Sequence, residues 1–426
     1  MDRETIAAPP PLSLASLRAA LAEPGRAAAL RDAWRALWVS RALVWLAGVG
    51  AVVALGRSAR WRAFDPAALT APFGTVGDAL VAPAARWDAT WYLSIALDGY
   101  RDAAQTAFFP LYPLLVRVVG RPGAALGDPR AAYLLSAIAV SLAAFAAALY
   151  LVHRLTALEL GEDVARTTIW LVALFPAAFA FSAVYTESLF LALSAGSLYA
   201  ARLGRWRTAG VVAALAAATR STGTLLVVPL AIMWFQGARR PRDLAWIAVV
   251  PAGLAAYVGY LALATGDPWA PFTVQGAWYR ELAGPLGGAR DGAVAAWDGV
   301  RQLLSGSRFP VYFERAGGDP FVVAAHNVGD FAFLVFAAVA VVGAFRRLPL
   351  AYATWALVAV VVAISYPVGP EPLASLPRYL AVVFPLQMWL AAWACEGPRR
   401  RPAVLAASAL GLVALTVPFA AWEWVA

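Results

Sequence analysis

Apolar runs separated by short polar segments fill most of this chain of 426 residues. A helix rises about 1.5 Å per residue, so about 20 apolar residues are needed to cross a bilayer. The pattern predicts an all-α polytopic membrane protein in which residues 36–426 form one domain. The runs that approach the required length predict about eleven transmembrane helices, near 36–55, 130–152, 167–184, 186–203, 208–222, 223–237, 243–264, 327–345, 350–366, 376–395 and 402–422.

Three longer polar segments interrupt this pattern. Residues 1–35 are polar and rich in Pro and Ala, which predicts an N-terminal tail and not a cleavable signal peptide, because the polar part before the first apolar run is too long. Residues 56–129, called the first loop below, contain two shorter amphipathic pieces near 77–98 and 107–120. Residues 265–326, the second loop, are mixed in charge and rich in Gly and Pro.

The apolar runs 208–222 and 223–237 are too short to cross a hydrocarbon layer of about 30 Å comfortably. A single long helix would place the flanking arginine clusters on opposite sides of the membrane. We therefore expect two short or re-entrant helices that turn at Arg220-Ser221-Thr222-Gly223. Such breaks are tolerated at membrane depth where the backbone lines a cavity.

Composition supports the membrane class and excludes a nucleic-acid partner. The chain is 62% hydrophobic and only 14% charged, whereas a soluble domain carries about a quarter charged residues. The formal charge of +9 comes from arginines in short clusters between apolar runs, as the positive-inside rule requires. Cys395 is the only cysteine, and His153 and His326 are far apart in sequence. We expect no disulfide within the chain and no cofactor, although a divalent metal is left open.

The arginine clusters predict the orientation in the membrane. If the N-terminal tail is cytoplasmic, the clusters at 202–207, 239–242, 346–347 and 399–401 are cytoplasmic as well, and both loops face outward. Arg57, Arg60 and Arg62 oppose this assignment, but the other clusters outweigh them. The sequence therefore predicts a multi-pass protein of the cell membrane with its active site on the extracytoplasmic side.

Aromatic side chains crowd a single acid, Asp88, in the first loop. The stretch reads RWDATWY at 86–92, followed by Gly99-Tyr100 and by FFPLYP at 108–113. Trp and Tyr prefer the interface between membrane and water, so Asp88 is expected at the edge of an apolar cavity. A carboxylate there can take a proton from a substrate hydroxyl. The alternative is that Asp88 caps the short helix that follows it.

Three more charged residues are predicted at the same outer face: Glu187, Arg220 and Arg378. Charges inside membrane spans are expensive and usually belong to a pathway or a site. Arg378 could extend its charge toward the interface or bind a phosphate, since guanidinium binds phosphate bidentately and stays charged in a dry site. Arg220 has the same options or pairs with Glu187. Glu187 is either a structural partner of an arginine or part of a sugar pocket.

These motifs resemble a known family. The Trp-Asp-x-x-Trp-Tyr…Gly-Tyr…Phe-Phe-Pro-x-Tyr-Pro series, together with residues 175–190, 219–223 and 375–385, resembles the PIG-V type of mannosyltransferase, the GPI mannosyltransferase II family, in its bacterial branch. The resemblance extends over roughly residues 35 to 395. It implies a GT-C-like helical bundle whose first outer loop carries the catalytic acid, and Asp88 is the position that matches.

The resemblance implies an integral membrane glycosyltransferase with an inverting mechanism. The donor would be a polyprenyl-phosphate sugar, with mannose as the expected sugar, and the acceptor an extracytoplasmic lipid, glycan or protein. Asp88 would deprotonate the acceptor while Arg378 and Arg220 hold the leaving phosphate. The expected substrate pocket consists of Trp87, Trp91, Tyr92, Tyr100, Glu187 and Tyr379, although the aromatic run could instead serve as an interface anchor.

A transporter or flippase of a lipid-linked sugar is the alternative function. Intramembrane charges fit a transporter equally well. The large aromatic first loop and the lack of visible repeats in the sequence fit it less well. Asp98 and Asp102, in the same loop as Asp88, are expected to be solvated acids without a catalytic role.

Overall fold

The computed structural model describes residues 24–56, 58, 61–312 and 319–425. Within these ranges every regular element is helical, apart from one isolated antiparallel bridge between Arg280 and Val368. The predicted all-α class is therefore confirmed for the described part of the chain. Most of the predicted tail, up to residue 23, lies outside the described residues. Among the described residues the first helix begins at Pro24, earlier than the predicted span.

The helices follow one another closely along the chain. In the described part of the chain, the α-helices up to residue 236 are α1 (Pro24–Leu55), α2 (Trp61–Phe64), α3 (Gly74–Val81), α4 (Ala89–Asp98), α5 (Leu111–Leu126), α6 (Pro129–Leu160), α7 (Glu162–Leu174), α8 (Glu187–Arg202), α9 (Trp206–Ala217) and α10 (Val227–Gln236). The remaining nine are α11 (Pro241–Ala248), α12 (Ala252–Ala264), α13 (Ala270–Thr273), α14 (Gly284–Ser305), α15 (Pro320–Arg347), α16 (Leu350–Ile364), α17 (Leu376–Ala381), α18 (Phe384–Cys395) and α19 (Arg400–Ala420). Short 3₁₀ helices occupy Ala82–Ala84, Ala103–Ala107, Ala178–Phe181, Ser221–Leu226 and Val274–Trp278.

Among the described residues, five helices are long and apolar enough to cross a membrane. The predicted count of eleven spans is not confirmed, because several predicted spans are shorter or broken. The chain is nevertheless a multi-pass membrane protein by the length and hydropathy of these helices. The five candidate spans are Gly25–Leu55, Pro129–Leu160, Pro241–Ala264, Pro320–Arg347 and Arg400–Ala420.

Two predicted spans, 167–184 and 376–395, are not continuous helices. Helix α7 ends at Leu174, and the next residue, Phe175, is extended (φ −51°, ψ 141°). Because Pro176 follows, the helical conformation is disfavoured at Phe175. The second span is divided into α17 and α18 at Val383 (φ −92°, ψ 67°), two residues before Pro385. The helices are therefore interrupted at two places where the apolar sequence is continuous.

The predicted break at residues 220–223 is present. Helix α9 ends at Ala217, Arg220 is extended (φ −153°, ψ 143°), and a 3₁₀ helix then leads into α10. Gly223 permits this turn, because a Cβ atom there would lie 2.3 Å from the backbone carbon of Ala216. The turn therefore packs directly on the end of α9 and places Arg220 at a bend.

A buried arginine of α1 stabilises the irregular stretch that follows α7. Arg41 donates hydrogen bonds to the carbonyl oxygens of Ala178 (2.6 Å) and Ala173 (3.1 Å) and to the hydroxyl of Ser182 (2.9 Å). Buried carbonyls without partners would be costly. Arg41 thus holds the chain that leads into α8, whose first residue is Glu187.

Candidate active site

A cavity of about 490 Å³ lies among several segments that are distant along the chain. Its volume falls in the range of about 300–1,000 Å³ that is usual for small-molecule sites. Residues of α4 and the stretch before it, the start of α8, the break at 219–222, the second loop, α16 and α17 all contribute to its wall. Both polar and aromatic side chains therefore face the same cavity.

Four charged residues form a continuous chain of ion pairs in this cavity. Asp88 Oδ2 lies 2.7 Å from Arg378 Nη1, and Arg378 Nε lies 3.4 Å from Glu187 Oε1. The same Glu187 oxygen lies 2.9 Å from Arg220 Nη1. Side-chain exposure is 23% for Asp88 and only 2% for Glu187. The sequence-predicted charges are thus brought together, and Asp88 is the more accessible of the two acids.

Asp88 uses its carboxylate for this ion pair and not for capping α4. It is the residue before the first turn of α4, but its side chain forms no capping hydrogen bond. The capping alternative is therefore wrong. The carboxylate turns instead toward Arg378, a residue 290 positions away in sequence.

The backbone is strained on both sides of the Asp88–Arg378 pair. Trp87 has φ +52°, and Ser375, which precedes α17, has φ +70°. A left-handed conformation of a residue other than glycine costs about 1–3 kcal/mol and persists only where the surrounding structure enforces it. Such strain is concentrated at functional sites, and here it orients the two segments that carry the pair.

Trp87 is held in this conformation by the C-terminal end of the described chain. Its ring packs against Trp422 and Trp424, at centroid distances of 5.6 and 5.3 Å, and against Phe64 at 4.8 Å. Its indole N–H donates to the carbonyl of Glu423 (3.2 Å). Trp87 lines the cavity but is mostly buried. Trp87 therefore holds the backbone beside Asp88 in place and exposes little of its ring to a ligand.

Glu187 sits at the beginning of α8, where the helix dipole favours a negative charge. It is buried and faces both arginines of the chain of ion pairs. Of the two alternatives predicted for Glu187, this placement agrees with a structural partner of an arginine, because Glu187 pairs with both Arg220 and Arg378. It also lines the cavity, so a direct contact with sugar stays a prediction.

Trp91, Tyr92 and Tyr379 also line the cavity, as expected. Trp91 stacks on Phe108 with a centroid distance of 5.6 Å and meets Trp278 edge-on at 6.0 Å. Tyr92 packs edge-on against Phe108 at 5.1 Å. Burial raises the pKa of the Tyr92 hydroxyl well above its ordinary value, so this hydroxyl remains a hydrogen-bond donor. The aromatic cluster gives the cavity flat apolar surfaces beside its charges.

Tyr100 is the predicted pocket residue that the structure places elsewhere. It is absent from the cavity wall, and its hydroxyl donates to the carbonyl of Phe108 (2.6 Å). Its ring packs near Tyr257 (5.6 Å) and Tyr260 (5.9 Å). The Gly99 turn, at φ +79°, ends α4 directly before Tyr100. Tyr100 therefore stabilises the first loop from a position outside the cavity wall.

Among the residues of the cavity wall that sequence analysis missed are Trp278 and Arg280. Both belong to the second loop, which the sequence described only by its composition. The signal was the run Trp278-Tyr279-Arg280, in which aromatic residues precede a cation as they surround the acid in the first loop. Among the described residues, no group of three or more His, Cys, Asp or Glu is placed to hold a metal ion.

The sequence of residues 39–239 matches the profile of the mannosyltransferase (PIG-V) family. The resemblance to this family is thus confirmed over that stretch, which contains Asp88, Glu187 and Arg220. The match is narrower than the predicted extent of roughly 35 to 395, and Arg378 lies outside it.

A curated relative of this chain is also a mannosyltransferase. The chain is 36% identical over 173 residues to GPI alpha-1,6-mannosyltransferase 2 of Rattus norvegicus, an alignment that covers 39% of this chain and 35% of the relative. The chain therefore spans about a third of the length of the relative it matches.

Solved structures give a weaker likeness. The oligosaccharyltransferase of Archaeoglobus fulgidus, in complex with zinc and sulfate, superposes with a TM-score of 0.44 at 15% identity, covering 79% of this chain and 48% of that protein. The same enzyme tethered to an acceptor peptide gives a TM-score of 0.44 at 12% identity, with coverage of 91% and 55%. At these scores the likeness does not assign the fold.

Proposed function

We propose that this protein is an integral membrane glycosyltransferase with a GT-C-like bundle. It transfers a sugar, with mannose as the expected one, from a polyprenyl-phosphate donor to an extracytoplasmic lipid, glycan or protein acceptor. The observation that carries the proposal is Asp88 at the wall of a ligand-sized cavity, 2.7 Å from Arg378 and within the stretch that matches the mannosyltransferase family.

Asp88 is the proposed general base. Its carboxylate takes the proton of the acceptor hydroxyl, and the resulting oxygen attacks the anomeric carbon of the donor sugar. The bond between that carbon and the phosphate oxygen breaks with inversion, and the lipid phosphate leaves with the electron pair. A positioned base of this kind contributes about 10²–10⁴-fold to the rate.

The arginines supply the positive charge that the leaving phosphate requires. Arg378 and Arg220 both line the cavity and remain charged in a dry site. The buried carboxylate of Glu187 holds both guanidinium groups in place. Arg378 also contacts Asp88, so one residue links the proposed base to the proposed phosphate site.

The proposed orientation follows from the arginine clusters. The N-terminal tail would be cytoplasmic, and residues 56–129 would form the catalytic outer loop at the plasma membrane, with residues 265–326 as the second outer loop. The lipid donor would enter from the bilayer and the acceptor from the aqueous side. The cavity wall, part aromatic and part charged, suits a ligand with a sugar, a phosphate and an apolar tail.

The decisive experiment follows the fate of the sugar. Purified protein in proteoliposomes is given polyprenyl-phosphate [³H]mannose and a mixture of extracted lipid and glycan acceptors. An enzyme transfers the label from the lipid phosphate to an acceptor, whereas a flippase moves the intact donor across the bilayer. Movement of intact donor without cleavage of the sugar–phosphate bond would contradict the proposal.

A further inference from the structure

Three arginines surround the ring of Tyr379 in the cavity. Their guanidinium carbons lie 5.2 Å (Arg220), 5.7 Å (Arg378) and 5.8 Å (Arg280) from the ring centroid. Arg220 and Arg378 are both engaged by carboxylates, as described above. Within the described part of the chain, no carboxylate forms an ion pair with Arg280. Arg280 is therefore the arginine of this group whose charge is not neutralised by a carboxylate of the described residues.

The local structure of the second loop holds Arg280 at the cavity. The 3₁₀ helix Val274–Trp278 ends at Tyr279, which is left-handed (φ +56°). Arg280 then pairs with Val368 in the isolated bridge, and the Ala283 N–H donates to the carbonyl of Ser365 (3.1 Å). These backbone contacts attach the segment to the chain between α16 and α17. The backbone of Arg280 is thus held in place, while its guanidinium group forms no ion pair among the described residues.

The charges of the cavity wall define the ligand that this arrangement fits. Three arginines face two carboxylates there, so the wall carries one formal positive charge in excess. A phosphodiester carries one negative charge and would balance it. Arg378 donates to Asp88 and Arg220 donates to Glu187, and each keeps further donors. Arg280 has no carboxylate partner within the described part of the chain, so its whole planar group can be offered to a bidentate contact.

We propose that Arg280 binds the phosphate of the lipid-linked donor beside the ring of Tyr379, a role that rests on the proposed glycosyltransferase function. Arg378 then acts mainly as the positioning residue of Asp88. Arg378 and Arg220 complete the positive surface around the phosphate. This assignment differs from the expectation that Arg378 and Arg220 alone hold the phosphate.

The test measures binding and not turnover. The full chain in detergent is titrated with farnesyl phosphate, which carries the lipid-phosphate head group, and with farnesol, which lacks it. We expect Arg280→Gln to weaken farnesyl phosphate binding about tenfold or more, because a hydrogen-bonded charge is lost. Farnesol binding should not change. Arg290→Gln is the matched control, since Arg290 is exposed in α14 and lies outside the cavity wall.

The outcomes separate this inference from the proposed function. If the parent protein binds farnesyl phosphate no better than farnesol, the lipid-phosphate donor is contradicted, and with it the role of Arg280. If the parent prefers farnesyl phosphate and Arg280→Gln binds it equally well, only the role of Arg280 is contradicted. Arg280→Lys keeps the charge without the planar fork and should bind with intermediate affinity. Unchanged thermal unfolding of each variant shows that affinity, and not folding, has changed.

Discussion

Residues 86–113 of the first loop and residues 270–283 of the second loop both line the cavity, but they differ in how deeply they are packed. Around Asp88, Arg86 and Ala89 are fully buried, and Trp87 is 8% exposed. In the second segment Tyr279 and Leu282 are 77% and 71% exposed. The immediate surroundings of Asp88 are thus part of the protein core, whereas much of the second segment is exposed.

This difference matches the proposed division of labour. A general base must lie within hydrogen-bond reach of the proton it removes, and the buried, strained surroundings of Asp88 hold it to such a position. A phosphate-binding arginine can lie on a less buried segment, because its long side chain and charge reach the ligand.

Asp88→Asn should reduce turnover by about 10²–10⁴-fold, because the amide keeps the shape of the carboxylate but does not take up the proton. Farnesyl phosphate affinity should change little, since Asp88 acts on the acceptor. Initial rates with labelled donor at saturation measure the effect. Asp98→Asn, at an exposed acid of the same loop that pairs with Arg101, is the control and should remain active. An Asp88→Asn rate within a few-fold of the parent would assign the base elsewhere, with Glu187 as the next candidate.

Trp87→Ala should lower the free energy of unfolding by about 3–5 kcal/mol, the usual cost of removing a buried large aromatic side chain. Its ring contacts Phe64, Trp422 and Trp424, which would surround the resulting space. Thermal or denaturant unfolding in detergent checks this. A stable Trp87→Ala protein would mean that the first loop is not the rigid part of the cavity wall.

Arg378→Lys should weaken the binding of farnesyl phosphate by less than Arg280→Gln, while reducing turnover more. A lysine retains the charge but cannot hold Asp88 and Glu187 together through separate donors of one planar group. Arg378→Ala should be worse on both measures. Comparison of kcat with the dissociation constant for each variant separates positioning of Asp88 from phosphate binding. Equal losses of kcat and affinity in the Arg378 and Arg280 variants would remove the distinction between the two arginines.

Trp278→Ala should have the smallest effect, a few-fold rise in KM with little change in unfolding. Its edge-on contacts with Trp91 and Phe108, at 6.0 and 5.9 Å, are each worth about 0.5–1.5 kcal/mol at most. Steady-state kinetics with varied donor concentration measure it. A large loss of folding stability in Trp278→Ala would show that both loops are equally structural.

The class of the protein and part of its site can be predicted from the sequence. The length of the apolar runs indicates membrane helices, because the thickness of a bilayer sets a length that composition reveals directly. The crowding of rings around one acid singled out Asp88. The short runs on both sides of Arg220 predicted the break that the structure contains. Each of these signals is local along the chain.

Which charged residues form ion pairs, and which helices are continuous, depends on the tertiary structure and cannot be read from the sequence. Asp88 and Arg378 are 290 positions apart, and their contact depends on how α4 and α17 pack. Arg280 reaches the cavity through a backbone bridge to Val368, and Tyr100 is turned away from it. Hydropathy sums side chains over a window, so it does not register the backbone breaks beside Pro176 and Pro385. At the first of these breaks the carbonyls of Ala173 and Ala178 are satisfied by a distant residue, Arg41.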